Sequence, residues 1–231
     1  MRSSILIITS MFMLSCAGVK VTQDQHEYVD LGLPSGTLWA TCNIGATSPE
    51  DYGDYFAWGE TTIKTDFRWS TLNYCGDEKG ENFSKYNTQS KYGSVDNRII
   101  LERSDDAATA NWGVNWCMPT RQQFQELNDK CSWTWIVRNG KIGYEVKGPN
   151  GNTMFFPGAG CRFGTFFSND SCGHYWSSSL DVVEPFGGSG LDFNSDDLYF
   201  DGWYWRFLGR SVRPVRSSGL KLKKNRNRKV L

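Results

Sequence analysis

Thr120-Arg-Gln-Gln-Phe-Gln-Glu-Leu-Asn-Asp-Lys-Cys131 runs directly into Ser132-Trp-Thr-Trp-Ile-Val137, and the spacing of apolar residues changes between the two. In the first stretch Phe124, Leu127 and Cys131 recur at intervals of three and four, one face of a helix. Thr120 with Gln123 three residues later reads as its capping box. From Ser132 onward the pattern is that of strands and Gly-rich turns: Trp133 to Val137, Gly143 to Val146, Thr153 to Pro157, His174 to Ser179 and Gly209 to Arg216. Asn139-Gly140, between Arg138 and Lys141, suits the turn of a hairpin because both residues tolerate positive φ. Upstream, Ser104 reads as the cap of a second helix. Its first turn holds Asp105 and Asp106 at the positive end of the helix dipole, and it continues through Ala107, Ala108 and Ala110 to Gly113. Pro34-Ser35-Gly36 parts two strands between His26 and Gly45. Asp51 to Asn97 has no sustained period and reads as long irregular loops with short strands. The class is α+β, with two mid-chain helices packed on loop-rich sheets. No internal repeat or interdomain linker divides it, so residues 17–216 form one domain.

The chain has 231 residues, 39% hydrophobic and 15% aromatic, which excludes both a disordered chain and a polytopic membrane protein. Its formal charge is zero, but unevenly spread. Without Arg2 and the six basic residues of the tail, 18 basic side chains face 25 acidic ones between Ala17 and Arg216, a formal −7. Such a body has no excess of the cations whose phosphate contacts displace counterions, so nucleic acid is not an expected partner. The tail, residues 217–231, has no acidic or aromatic residue and cannot bury enough surface to fold alone.

One positive charge, Arg2, precedes the apolar run Ile5 to Leu14, too short to span a bilayer and suited to a signal peptide. Its end, Met13-Leu-Ser-Cys-Ala17, resembles the lipobox of bacterial lipoproteins, with Leu14 where a small residue is commoner. Segment 1–16 is therefore read as a lipoprotein signal and Cys16 as the lipidated residue; a simple signal peptide that discards Cys16 is the other reading. The expected place is the cell envelope, as an outer-membrane lipoprotein held by its lipid anchor alone, or a secreted form. Outside the cytoplasm thiols can oxidise. Cys161 and Cys172, flanking a turn-rich segment between apparent strands, are the first pair expected to bridge, although six cysteines allow 15 pairings.

A family resemblance adds to this. Glu27 to Ala46, Tyr55-Phe-Ala-Trp-Gly-Glu60, Asp105 to Gly113, Trp116-Cys-Met-Pro-Thr120, Tyr175-Trp-Ser-Ser-Ser179 and Ser211-Val-Arg-Pro-Val215 together resemble the Fibrobacter succinogenes major paralogous domain family of exported bacterial proteins. The resemblance implies a fold similar to C-type lectins and formylglycine-generating enzymes. It does not bring their chemistry. Glu184-Pro185-Phe186 ends in Phe where a calcium-dependent sugar site has a polar residue. Cys161 and Cys172 stand eleven apart with no later cysteine, unlike the close redox pair of the enzyme.

The remaining candidates are individually plain. Asp192, Asn194 and Asp196 alternate as in the start of an EF-hand, but Asp197 replaces the turn glycine and Trp203 the bidentate Glu. A solvated acidic loop is preferred to a weak irregular calcium site, and no cofactor or metal is assigned. Gly158-Ala-Gly160 and Gly187-Gly-Ser-Gly190 read as turns. His174, beside Tyr175 and Trp176, reads as a packed or hydrogen-bonded ring, and Asp105-Asp106 as caps. Trp39, Trp112, Trp116 and Trp176 are expected in the core. No nucleophile-and-base motif occurs, so a binding module for a glycan or protein is preferred to an enzyme on a formylglycine-generating-like scaffold or a structural surface component. Its expected ligand surface is the loop-rich segment from Leu180 to Arg206, with Asp192, Asn194, Asp196, Asp201, Trp203 and Trp205. Carboxylates there can hold hydroxyls while an indole covers an apolar sugar face.

The lipobox-like end of the apolar run generates a first prediction. Cys16→Ala should release the protein from membranes and abolish incorporation of labelled fatty acid. A wild-type mature N-terminus beginning beyond residue 16 would exclude the anchor.

Overall fold

In a computed structural model, which describes residues 19–21, 26–168 and 171–217, the first and last described strands belong to one sheet. Strands β1 (Val19–Val21), β2 (Glu27–Asp30) and β3 (Thr37–Ala40) come first, and α1 (Ala107–Trp112) and α2 (Arg121–Lys130) follow the long irregular stretch. Then come β4 (Ser132–Arg138), β5 (Lys141–Lys147), β6 (Thr153–Pro157), β7 (Cys161–Phe163), β8 (Phe166–Ser168), β9 (Gly173–Leu180), β10 (Gly187–Phe193), β11 (Leu198–Trp205) and β12 (Val215–Ser217). The sheets run β1-β2-β3-β12, β11-β10-β9, β4-β5-β6 and β7-β8, with antiparallel neighbours throughout. The protein is α+β. Among the described residues no helix is long and apolar enough to cross a membrane. Segment 1–16, with Cys16, and residues 218–231 of the tail lie outside the described residues.

The local chemistry sets these elements. Asn139 and Gly140 both adopt positive φ, 49° and 78°, and join β4 to β5 with Arg138 opposite Lys141. Gly36, at φ 69°, closes the turn between β2 and β3, its N–H donating to the Leu33 carbonyl. Thr120 and Gln123 make the reciprocal capping box of α2. The start of the other helix differs from expectation. Asp106, not Ser104, caps α1, because its carboxylate accepts from both Thr109 N at 2.9 Å and Met118 N, so it holds the helix start and the strand-like run after it together. Ser104 belongs to a preceding 3-10 turn, Arg103–Asp105. Asp105 turns the other way, to Lys85 at 2.5 Å and to the hydroxyls of Tyr74 and Tyr86. Burial would raise its carboxyl, but these donors outweigh it and hold it below the ordinary range. Burial prevails at Asp106, which is raised.

Strand β9 is the wall between two cores. Tyr175 faces the first, with Trp39, Phe124, Leu127, Phe156 and Leu191; Trp176 faces the second, with Phe56, Trp58, Ala108, Met118 and Val212. Helix α2 lies across β9, β10 and β11 and supplies Phe124 and Leu127. A third cluster, including Phe67, Phe83 and Phe207, underlies the irregular stretch. Trp39, Trp116 and Trp176 are buried as expected, whereas Trp112 is half-buried and stacks on His26 at 3.8 Å.

Two expectations are corrected. The segment from Leu180 to Arg206 is not loop-rich: most of it is the β10–β11 hairpin. Gly187 to Gly190 are strand residues, where glycine serves close approach and not turning. A Cβ on Gly188 would meet Trp58 ring atoms at 2.6 Å, and one on Gly190 would meet the Tyr175 carbonyl at 2.4 Å. The Cys161–Cys172 bridge is not formed either, and none of the six described cysteines is in a disulfide. The hairpin there places Ser168, not Cys172, opposite Cys161, and it is Gly160 N that bonds the Cys172 carbonyl.

Gly188→Ala should therefore push against a buried indole and lower stability by about 1–3 kcal/mol, read from the denaturant midpoint. An unchanged midpoint would show that Trp58 yields freely.

Candidate functional site

The β10–β11 hairpin carries all six expected ligand residues or borders them. Its loop is built by Asn194, whose Oδ1 accepts from Asp196 N at 2.7 Å and Asp197 N at 2.8 Å, while its own N–H donates to the Asp197 carbonyl. The Asn194 oxygen is thus committed to the turn, and Asp196 stands exposed beside it. Among the described residues no group of three or more His, Cys, Asp or Glu is placed to hold a metal. Asp201 lies in β11, and its side chain lies outside the described residues.

The other candidates divide between two faces. Asp192 pairs across the sheet with His174 of β9 and Tyr199 of β11. Its Oδ2 lies 3.0 Å from His174 Nδ1, and Oδ1 meets the guanidinium of Arg210. Arg210 is 1% exposed, approaches His174 Nδ1 at 3.4 Å, and lies over the rings of Tyr204 at 3.7 Å and Trp176 at 4.7 Å. Burial draws this guanidinium down to about 9, still above neutral pH, so it remains the cationic partner of Asp192. Burial also pushes Tyr204 up to about 12. Beside the group opens a cavity of about 300 Å³, lined by Cys172, His174, Asp192, Asn194, Tyr199 and Tyr204.

Trp203 and Trp205 flank Tyr204 in β11. Alternation along a strand sends them to the face opposite Tyr204, and so away from Asp192 and Arg210. Both are exposed, 44% and 45%. Neither hangs loose: Trp203 meets Phe186 edge-on at 5.3 Å, and Trp205 stacks on Phe207 at 5.5 Å. Phe186 in turn leans on Tyr92 and Phe207 on Trp69, so the ridge is backed by aromatic rings of the irregular stretch. The single surface expected from the sequence is therefore two: a polar pocket with Asp192 and Asn194, and an aromatic ridge with Trp203 and Trp205.

His174 has the hydrogen-bonded role expected of it. No reading of the sequence singles out Arg210, Tyr199 or Phe207 for this site, nor Phe186 beyond its place after Glu184-Pro185. The sequence signal for Arg210 is its place inside the strand-like run Gly209 to Arg216. Comparison with protein-family models, curated proteins and solved structures returns no match.

The Asp192–Arg210 pair is the feature a mutation reads most directly. Arg210→Met should strand a largely buried carboxylate and cost about 3–5 kcal/mol in chemical denaturation, and adding Asp192→Asn should restore part of it. Equal stability of Arg210→Met and wild type would show that the pair holds nothing in place.

Proposed function

We propose that this chain is an exported, lipid-anchored binding module of the cell envelope, a member of the Fibrobacter succinogenes major paralogous domain family with a C-type-lectin-like scaffold, and that it binds its ligand on the Trp203–Trp205 ridge. The observation that carries the reading is the exposure of two indoles on one face of one strand, each backed by a ring that fixes its plane. Outward residues two apart on a strand stand roughly 7 Å from one another, so the indoles offer a double platform. An indole gives large contact area with little side-chain entropy to lose, which suits the apolar face of a sugar ring. A glycan is thus the favoured ligand and a protein surface the second. The acidic balance of the body works against polyanions, and Cys16 supplies the membrane attachment.

A glycan-array screen of the mature protein, followed by titration of the best ligand, tests this reading. Trp203→Ala and Trp205→Ala should each weaken binding about tenfold, the effect of losing a contact worth roughly 1.4 kcal/mol, while the melting temperature stays nearly constant. Variants that bind like wild type, or that both unfold, remove the ridge from consideration.

A further inference from the structure

The sheet β4-β5-β6 ends on β4, whose outer side pairs with no other strand among the described residues. Strand β4 is seven residues long, and every one of them pairs inward with β5. Because Asn139-Gly140 is a two-residue turn, Arg138 and Lys141 close the ladder as a hydrogen-bonded pair. Residues alternating from Arg138, namely Ile136, Thr134 and Ser132, then turn their N–H and C=O toward β5, and Trp133, Trp135 and Val137 turn theirs outward. Among the described residues, backbone hydrogen bonds outside the regular elements involve none of these three.

Edge strands are commonly blunted by a proline, a lysine, a bulge or a covering segment. Strand β4, Ser-Trp-Thr-Trp-Ile-Val-Arg, has none of the first three. Its one charge, Arg138, stands at the end and is held by Glu50 at 2.6 Å. The contrast with other edges is direct. Strand β11 is broken by a register shift opposite Gly190–Asp192 and carries Asp201 and Gly202; β6 gives its Phe155 carbonyl to buried Arg213; β1 has only three residues. Val137, by contrast, is 68% exposed.

We propose that β4 is a dimerisation edge, to which a second copy of this chain adds its own β4 antiparallel about a two-fold axis at Trp135. The strand is its own complement in that register. Trp133 lies opposite the second copy's Val137, Thr134 opposite Ile136, and Ser132 opposite Arg138. Aromatic and β-branched residues thus pair, and no like charges meet. The parity also fits. The outward-facing groups of Trp133, Trp135 and Val137 meet those of Val137, Trp135 and Trp133, giving about six hydrogen bonds across the axis. A register shifted by one residue would set outward groups against inward ones. The contact is isologous and closes on itself, joining two three-stranded sheets into one and leaving no further edge on β4.

The test uses the mature full-length chain. Analytical ultracentrifugation at high micromolar concentration should give twice the chain mass. Val137→Pro should halve it with little change in melting temperature, because the N–H it removes points outward and takes no part in the β4–β5 ladder. The pair Thr134→Cys with Ile136→Cys should cross-link into a dimer under mild oxidation, while either substitution alone should not exceed the wild-type background. If Val137→Pro fails to fold, the cysteine pair decides. The proposal is overturned by a wild-type monomer, including one that dimerises only after residues 218–231 are removed and so shows the tail on this edge. A dimer that persists in folded Val137→Pro, or that the cysteine pair does not trap, overturns it equally.

Discussion

A guanidinium buried without a carboxylate holds this fold closed. Arg213 is fully buried, and its nitrogens donate to Asn43 Oδ1 at 2.8 Å and to the carbonyls of Ala40, Thr41 and Phe155 at 3.0 to 3.2 Å, with the face of Phe156 beneath it. Removing such a cation from water costs several kcal/mol, and hydrogen bonds to a charged group return about 1.5–3 kcal/mol each. The balance is favourable only when all the acceptors are in place. They come from the β3 end, the loop after it and β6, which are far apart in the chain. The planar fork with donors in several directions is what allows one side chain to collect them, which a lysine could not do. Arg213 also sits just before β12, whose pairing with β3 brings the last described strand beside the β2–β3 hairpin.

The two other buried arginines extend the same solution. Arg206 donates to the carbonyls of Tyr86 and Lys85 and lies over Phe83 at 4.3 Å, pinning the irregular stretch to the end of β11. Arg210 instead uses a carboxylate, Asp192, and so ties β10 to the segment that follows β11. A stretch with almost no regular secondary structure, residues 51–97, is thereby held by side-chain cations on carbonyls and by ring contacts. Trp58 and Trp176 add reciprocal ties, each indole donating to a backbone carbonyl beside the other, Ser177 and Phe56.

What could be read from the sequence was local. The Asn-Gly hairpin, the Thr120–Gln123 cap and the Pro34-Ser-Gly turn depend on residues within a few positions of each other, and the chain carries their signals openly. The glycines of β10 misled because their reason is distant: Trp58 and Arg210, far apart in the chain, occupy the space a side chain would need. The same cause hid the division of the candidate site. Alternation shows that Trp203 and Trp205 share a face, but only the cross-strand register shows that Asp192 is on the other. The cysteines fail for a similar reason, since the hairpin register puts Ser168 across from Cys161.

The ridge itself follows from this division. A three-stranded sheet with α2 over part of one face leaves that face open where the helix does not reach, and Trp203 and Trp205 stand there. The two exposed indoles lie outside the three core clusters, yet each has a supporting ring, Phe186 or Phe207, that is itself packed against the irregular stretch. Such backing reduces the rotamers an indole can lose on contact, which lowers the entropic cost of binding. It also means that the irregular stretch acts on the ridge: through Tyr92 and Trp69 it sets the planes of Phe186 and Phe207, and through them the planes of the two indoles. The arginine clamps that order that stretch are therefore part of what shapes the proposed binding surface, and Arg206 also adjoins it, following Trp205 in the chain and donating its N–H to the Phe186 carbonyl.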